Sequence, residues 1–210
     1  MSDAGIGRLL VASLHQAIAD ELPGRLEFYE TWLHPERLRH GTIGLAPLTA
    51  VLSFLRQEGP ASYHAIMDRA GTCAAEWTLA GSRLPSHVLV RALPAGVRMR
   101  LALGVARRLI RRCYRNSQAA VRVRRGAVTV AIRGSVFCTV REPVSLPLCG
   151  FYAAAITRAL GAYGVAREAR AGQCRAVGAP ACVMSVDPPD ADPTGAAAAT
   201  RGSGGGEPFR

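Results

Sequence analysis

The pattern of hydrophobic positions predicts that the first half of this chain is helical. Apolar residues recur at spacings of three and four over residues 5–21, which places them on one face of an amphipathic helix. Similar patterns, mostly bounded by glycine or proline, predict further helices over 25–33, 46–57, 62–79 and 97–115. We therefore expect five helices before the first strand.

The second half changes to the alternating pattern that is typical of strands. The alternation predicts strands over 119–124, 127–133, 136–140, 165–171 and 181–186, with one more helix over 148–160. Arg125 and Gly126 separate the first two strands, which suits a tight hairpin. Helices followed by a meander, a helix and a closing hairpin predict an α+β fold, with the helical N-terminal half packed on a twisted antiparallel sheet.

Length and composition favour one domain followed by a tail. With 210 residues and 49% hydrophobic positions, the chain is long enough to bury a core. We expect a single domain over 1–187 and a disordered tail over 188–210, where proline, aspartate, alanine and glycine dominate. No apolar run of about 18 residues and no signal-like start occur, so we expect a cytoplasmic protein without a transmembrane segment.

Positive charge is concentrated in the middle of the chain. The net charge is +11, and residues 77–141 hold fourteen arginines and no acidic residue. Such a field attracts nucleic acid, acidic lipid headgroups or a small carboxylate ligand. On the helix over 97–115, Arg107, Arg108, Arg111 and Arg112 lie opposite the apolar face. They form either a carboxylate-binding site or a solvated helix face. The second interpretation stays open because the chain has arginine and no lysine, so its arginines reflect composition as well as function.

Three cysteines near the end of the predicted domain are candidate metal ligands. Cys149, Cys174 and Cys182 are either zinc-binding thiolates or small buried hydrophobic residues, and a disulfide framework is not expected. A structural zinc ion needs four ligands, and the fourth would be Cys138 or a histidine, between which the spacing does not choose.

The last block of the chain resembles the 4-vinyl-reductase domain family. Cys149-Gly150-Phe151-Tyr152 opens a helix, and Cys174-x3-Gly178-x3-Cys182 follows on a hairpin, as in that family's closing signature. The resemblance is strongest over residues 119–187. It departs from the family at Ala171-Gly172-Gln173 and at Ala179, where the family often has acidic residues.

The resemblance implies both a fold and a pathway. The fold would be similar to that of trafficking subunits and haem-associated sensor domains. The role would be in bacteriochlorophyll synthesis, in the cytoplasm or peripheral to the photosynthetic membrane, with other enzymes of that pathway as partners. The ligand would be a Mg-porphyrin or protochlorophyllide-type tetrapyrrole. Arg107, Arg108, Arg111 and Arg112 are then candidates to bind its carboxylates, and His64 and His87 to ligate its magnesium.

Whether the chain catalyses a reaction stays open from the sequence. Reduction of the 4(8)-vinyl group needs a hydride source, yet Gly5-x-Gly7 lacks the rest of a dinucleotide fingerprint and no ferredoxin-type cysteine run occurs. The chain is therefore a tetrapyrrole carrier, an accessory of that reduction step or, as the family name implies, the reductase itself. The alternative is a ligand-sensing or scaffolding module that forms a homodimer through its helices. No nucleic-acid-binding motif is present, and no nucleic-acid partner is expected.

Overall fold

The structure, a computed structural model, describes residues 5–34, 43–82, 90–124, 126–140 and 144–186. The tail predicted over 188–210 and the candidate ligand His87 lie outside the described residues. Among the helices in these ranges, none has the length and apolar character needed to cross a bilayer.

Six α-helices lie in the described residues, and five of them precede the sheet. They are α1 (Arg8–Glu21), α2 (Leu26–Leu33), α3 (Leu45–Gln57), α4 (Pro60–Ala80), α5 (Ala95–Cys113) and α6 (Gly150–Ala162). Each predicted helix is confirmed, with ends that lie within three residues of those predicted. Helix α4 begins two residues earlier than predicted, because a proline tolerates the first helical position, where its missing N–H has no partner to lose.

Four strands form one antiparallel sheet in the order β1-β2-β4-β3. The strands are β1 (Gln118–Arg124), β2 (Ala127–Arg133), β3 (Ala169–Gln173) and β4 (Cys182–Val186). The hairpin of β1 and β2 is confirmed, with Val121 opposite Val130 and Gly126 at a φ of 83° in the turn. One face of the sheet is buried and the other is partly open, because alternate residues of β2 and β4 are buried. The α+β prediction is therefore confirmed.

One strand prediction is wrong and another is wrong in part. Residues 136–140 form a turn and not a strand, and β3 starts at Ala169, four residues later than predicted. Strand β4 pairs with β2 along the edge that a third consecutive strand would have occupied. The apolar residues Val136, Phe137 and Cys138 gave this segment its strand-like pattern, yet they are buried because the turn directs them into the core.

The contact between α4 and α6 is close because one residue in it has no side chain. Gly71 of α4 faces the backbone of α6, and a Cβ atom at this position would lie 2.2 Å from the carbonyl oxygen of Phe151. The two helices can therefore approach nearly backbone to backbone. This approach fixes the N-terminal end of α6, where Cys149 is the N-cap residue.

Two buried tyrosines differ in whether their hydroxyl groups have partners, which gives a first prediction. Among the described residues, the hydroxyl of Tyr163 has no hydrogen-bond partner, and burial raises its pKa. Tyr63 donates a hydrogen bond to the carbonyl oxygen of Leu148 at 3.1 Å. In thermal or urea unfolding, Tyr163→Phe should leave stability unchanged or raise it by up to about 1 kcal/mol. Tyr63→Phe should cost about 1–3 kcal/mol, because a buried carbonyl loses its donor.

Candidate metal centre

Four cysteine side chains converge at one end of the sheet. Cys138, Cys149, Cys174 and Cys182 are all buried, and their four Sγ atoms lie within 4.8 Å of one another. The Sγ atom of Cys138 is 3.3 Å from that of Cys174 and 3.4 Å from that of Cys182. All four are free thiols and not disulfides. The structure therefore brings together the three predicted ligands and supplies Cys138 as the fourth.

The size of this cluster fits a single metal ion. Four thiolates bound tetrahedrally at about 2.3 Å stand about 3.8 Å from one another, as the geometry of a tetrahedron requires. The Sγ atoms of Cys138 and Cys174 are 3.3 Å apart and no pair is farther apart than 4.8 Å, so the distances here bracket that value. An iron–sulfur cluster would hold the cysteine sulfurs farther apart, because several iron and sulfide ions lie between them. Tetrahedral S₄ sites with one metal are typical of zinc or of a single iron ion.

The four ligands come from four different places in the fold. Cys138 lies in the turn after β2, and Cys149 precedes the first turn of α6. Cys174 follows β3, and Cys182 begins β4. The sheet therefore supplies ligands from three of its strand ends, and the helix that packs on it supplies the remaining one.

The backbone between Cys174 and Cys182 is folded around the sulfur atoms. The N–H of Arg175 donates to the Sγ atom of Cys182 at 3.5 Å, and the N–H groups of Val177 and Ala179 donate to the carbonyl oxygen of Cys174. Gly178 has a φ of 90°, a left-handed value that favours glycine. The Cys-x3-Gly spacing thus reflects a tight turn in which the N–H of Arg175 is directed toward the sulfur of Cys182.

Interactions among the four thiols already favour thiolate at two of them. Contacts with Cys138 and Cys149 lower the pKa of Cys182 to about 7 and lower the pKa of Cys174 further. Hydrogen bonds with Cys138, Cys174 and Cys182 raise the pKa of Cys149, because they hold its proton in place. A metal ion would displace the remaining protons, since cysteine ligands of a metal must be thiolates.

The other two cysteines have no such arrangement. Cys113 lies in the core at the end of α5, and burial raises its pKa. Cys73 lies in α4, and burial raises its pKa as well. These two thiols therefore behave as small hydrophobic residues, which is one of the two interpretations that the sequence allowed for all of them.

The four candidate arginines are exposed on one face of α5. Arg107, Arg108, Arg111 and Arg112 point away from the buried side of the helix, and none forms an ion pair within the described part of the chain. Arg100, Val97 and Leu101 continue the same exposed stripe toward the N-terminal end of α5. The helix therefore presents a cationic face to solvent, as the sequence predicted.

His64 lines a cavity that is separate from the arginine face. The cavity has a volume of about 160 Å³ and lies between the end of α3, the start of α4 and residues 144–148. A second cavity, of about 310 Å³, lies between α4 and α6 and includes Asp68 and Glu168. Burial raises the pKa of Asp68, and the nearby His64 opposes this shift. Sequence reasoning missed Arg56 as a neighbour of His64, because the two lie on different helices.

Comparisons with known proteins add no relative. No protein-family model matches the chain, and no curated protein matches it significantly. The case for function therefore depends on the chain's own residues.

Proposed function

We propose that this chain is a zinc protein in which Cys138, Cys149, Cys174 and Cys182 hold one structural zinc ion. The observation that carries the proposal is the closed set of four buried sulfurs within 4.8 Å. Structural zinc sites are four-coordinate and leave no open position, whereas catalytic sites keep one for water or substrate. Zinc has no redox chemistry in proteins, so this centre supplies stability and not electrons.

The zinc ion would connect parts of the chain that are distant in sequence. The ligands span residues 138–182, and the bound ion would link the first and the last of them directly. Holding this long loop closed lowers the entropy of the unfolded chain, and the binding free energy of the metal is added to the free energy of folding. The C-terminal part of the fold, β2 to β4 with α6, gains most from it.

Metal analysis and cobalt substitution test this proposal. The purified chain is expected to contain one zinc ion per molecule, and Co²⁺ in its place should give the visible d–d bands of tetrahedral cobalt and strong thiolate-to-cobalt charge transfer. The visible absorption of an iron–sulfur cluster, or a free energy of unfolding that does not fall when the metal is removed, would contradict the assignment.

We further propose that the chain binds a carboxylate-bearing Mg-tetrapyrrole, as a carrier or accessory in bacteriochlorophyll synthesis. Support comes from the exposed guanidinium groups of Arg107, Arg108, Arg111 and Arg112 on one helix face, which form no ion pair with other described residues. Guanidinium binds carboxylate through two parallel hydrogen bonds, and successive turns of α5 repeat this donor along the face. That the ligand is a tetrapyrrole is the expectation from the sequence resemblance over residues 119–187.

The two cavities found among the described residues are small for a macrocycle. Their volumes of about 160 and 310 Å³ lie at or below the low end of the roughly 300–1,000 Å³ typical of pockets that enclose a drug-sized ligand. In this proposal the macrocycle lies against α5 with its carboxylates on the arginines. A carrier role needs only this contact, whereas vinyl reduction also needs a hydride donor.

Titration with Mg-protoporphyrin tests the tetrapyrrole proposal. Exchanging the four arginines for glutamine should weaken binding, followed by the shift of the Soret band, by at least about tenfold, because charge-assisted hydrogen bonds are lost. A control variant with Arg122, Arg124, Arg133 and Arg170 exchanged for glutamine removes the same charge from the strands. Equal weakening in the two variants would indicate nonspecific attraction, and no Soret shift in the unaltered protein would exclude the proposal.

A further inference from the structure

The cavity beside His64 has the chemical character of a small binding site. Arg56 at the end of α3 and Tyr63 and His64 in α4 form one side, and residues 144–148 form the other. The second side is mainly apolar, with Val144, Leu146 and Leu148. A cationic group thus stands opposite an aliphatic wall.

The charge of Arg56 is not compensated within the described part of the chain. Glu58, the acid nearest in sequence, instead pairs with Arg25 at 3.0 Å and accepts a hydrogen bond from Tyr29. The described residues that line the cavity include no carboxylate. A half-buried guanidinium in this position attracts an anion more strongly than a fully solvated one, because less water screens it.

The apolar wall is attached to the cysteine centre at both ends. It lies between Cys138 and Cys149 in the chain, and the N–H of Val144 donates to the carbonyl oxygen of Ala176 at 2.7 Å, two residues from Cys174. At the other end, Leu148 accepts the hydrogen bond from Tyr63 and directly precedes Cys149. The position of the wall therefore depends on the four sulfurs being held together.

We infer that this cavity binds a short-chain aliphatic monocarboxylate and that the metal-loaded cysteine centre is needed to form it. The carboxylate would lie on Arg56 and the alkyl group against Leu146 and Leu148. A volume of about 160 Å³ is large enough for a ligand of a few non-hydrogen atoms. The second half of this inference rests on the zinc proposal.

Isobutyrate is a suitable probe, and isobutyramide has the same shape without the charge. Saturation-transfer NMR on the full-length, metal-loaded chain should detect isobutyrate binding with a millimolar Kd, as expected for so few atoms. Isobutyramide should bind at least about tenfold more weakly, because the charge-assisted hydrogen bonds to Arg56 are lost. Equal binding of the two probes, or none of isobutyrate, would overturn the inference.

Two variants keep the test independent of folding. Arg56→Gln, and Leu146→Asp at the exposed mouth of the cavity, should each weaken isobutyrate at least about tenfold with zinc content unchanged, because one loses the cation and the other adds a competing carboxylate. Arg158→Gln, which alters an arginine outside this cavity, is the matched control and should bind normally. An unchanged affinity in Arg56→Gln would overturn the site.

The two proposals can fail separately. If the chain holds one zinc ion but does not bind isobutyrate, the zinc proposal stands and the binding site in the cavity is excluded. If the chain contains no zinc and still binds isobutyrate through Arg56, the zinc proposal and the metal requirement are both wrong, but the binding site stands. If chelator treatment removes zinc, isobutyrate binding should fall at least about tenfold, and binding that persists would contradict the metal requirement.

Discussion

Cys174→Ala is expected to abolish stoichiometric zinc binding and to lower the free energy of unfolding by more than about 4 kcal/mol. Three thiolates would remain without their fourth partner, and the connection between β3, β4, α6 and the turn at Cys138 would be lost. The measurements are zinc content by elemental analysis and urea unfolding followed by circular dichroism. Partly unfolded protein after purification would be the extreme form of the same result.

Cys113→Ala is the matched control for this change. Cys113 is also buried and loses the same sulfur atom, but it lies outside the cluster. The Cys113→Ala variant should retain one zinc ion, and its free energy of unfolding should fall by only about 1–2 kcal/mol, the cost of a small cavity. If the two variants were equally stable and both kept zinc, the four cysteines would be packing residues and not ligands.

Gly71→Ala, which adds a single methyl group to α4, should lower the free energy of unfolding strongly. The added Cβ would lie 2.2 Å from the carbonyl oxygen of Phe151 and 3.0 Å from the Cβ of Ala154, so α4 and α6 would have to separate. We expect a loss of about 2–4 kcal/mol, as for other overpacked contacts. For a chain of this length, that loss corresponds to a Tm decrease of about 4–16 °C.

Gly104→Ala tests whether this loss comes from the contact or from the residue type. Gly104 lies in the middle of α5, and an added Cβ would meet no atom within 4 Å. Alanine favours helix over glycine, so this variant should gain about 0.5–1 kcal/mol. A similar gain in Gly71→Ala would show that the two helices do not approach as closely as described.

Periodicity predicted the helices well because each buries one face and ends at residues with clear physical preferences. The exposed arginines of α5 followed from the same pattern, since they alternate with the buried Leu109 and Ile110. The hairpin at Gly126 was predictable because its turn needs a positive φ. These features depend on local sequence and could be inferred from it.

Features that depend on contacts distant in sequence were harder to predict. The turn over 136–140 has the composition of a strand, because a buried turn and a buried strand both require apolar residues. Cys138 could not be chosen over a histidine as the fourth ligand, because it lies 44 residues from its neighbour Cys182. The approach of Arg56 to His64 likewise depends on how α3 and α4 pack.

Strand β1 forms one border of the sheet, and its composition limits how copies of this chain can associate. Arg122 and Arg124 occupy alternate positions on β1 and are exposed. If two such borders met antiparallel about a twofold axis, guanidinium groups of both copies would be brought together, and their mutual repulsion would oppose hydrogen bonding between the strands. The arginines therefore oppose dimerisation through β1, which pairs only with β2 in the described part of the chain.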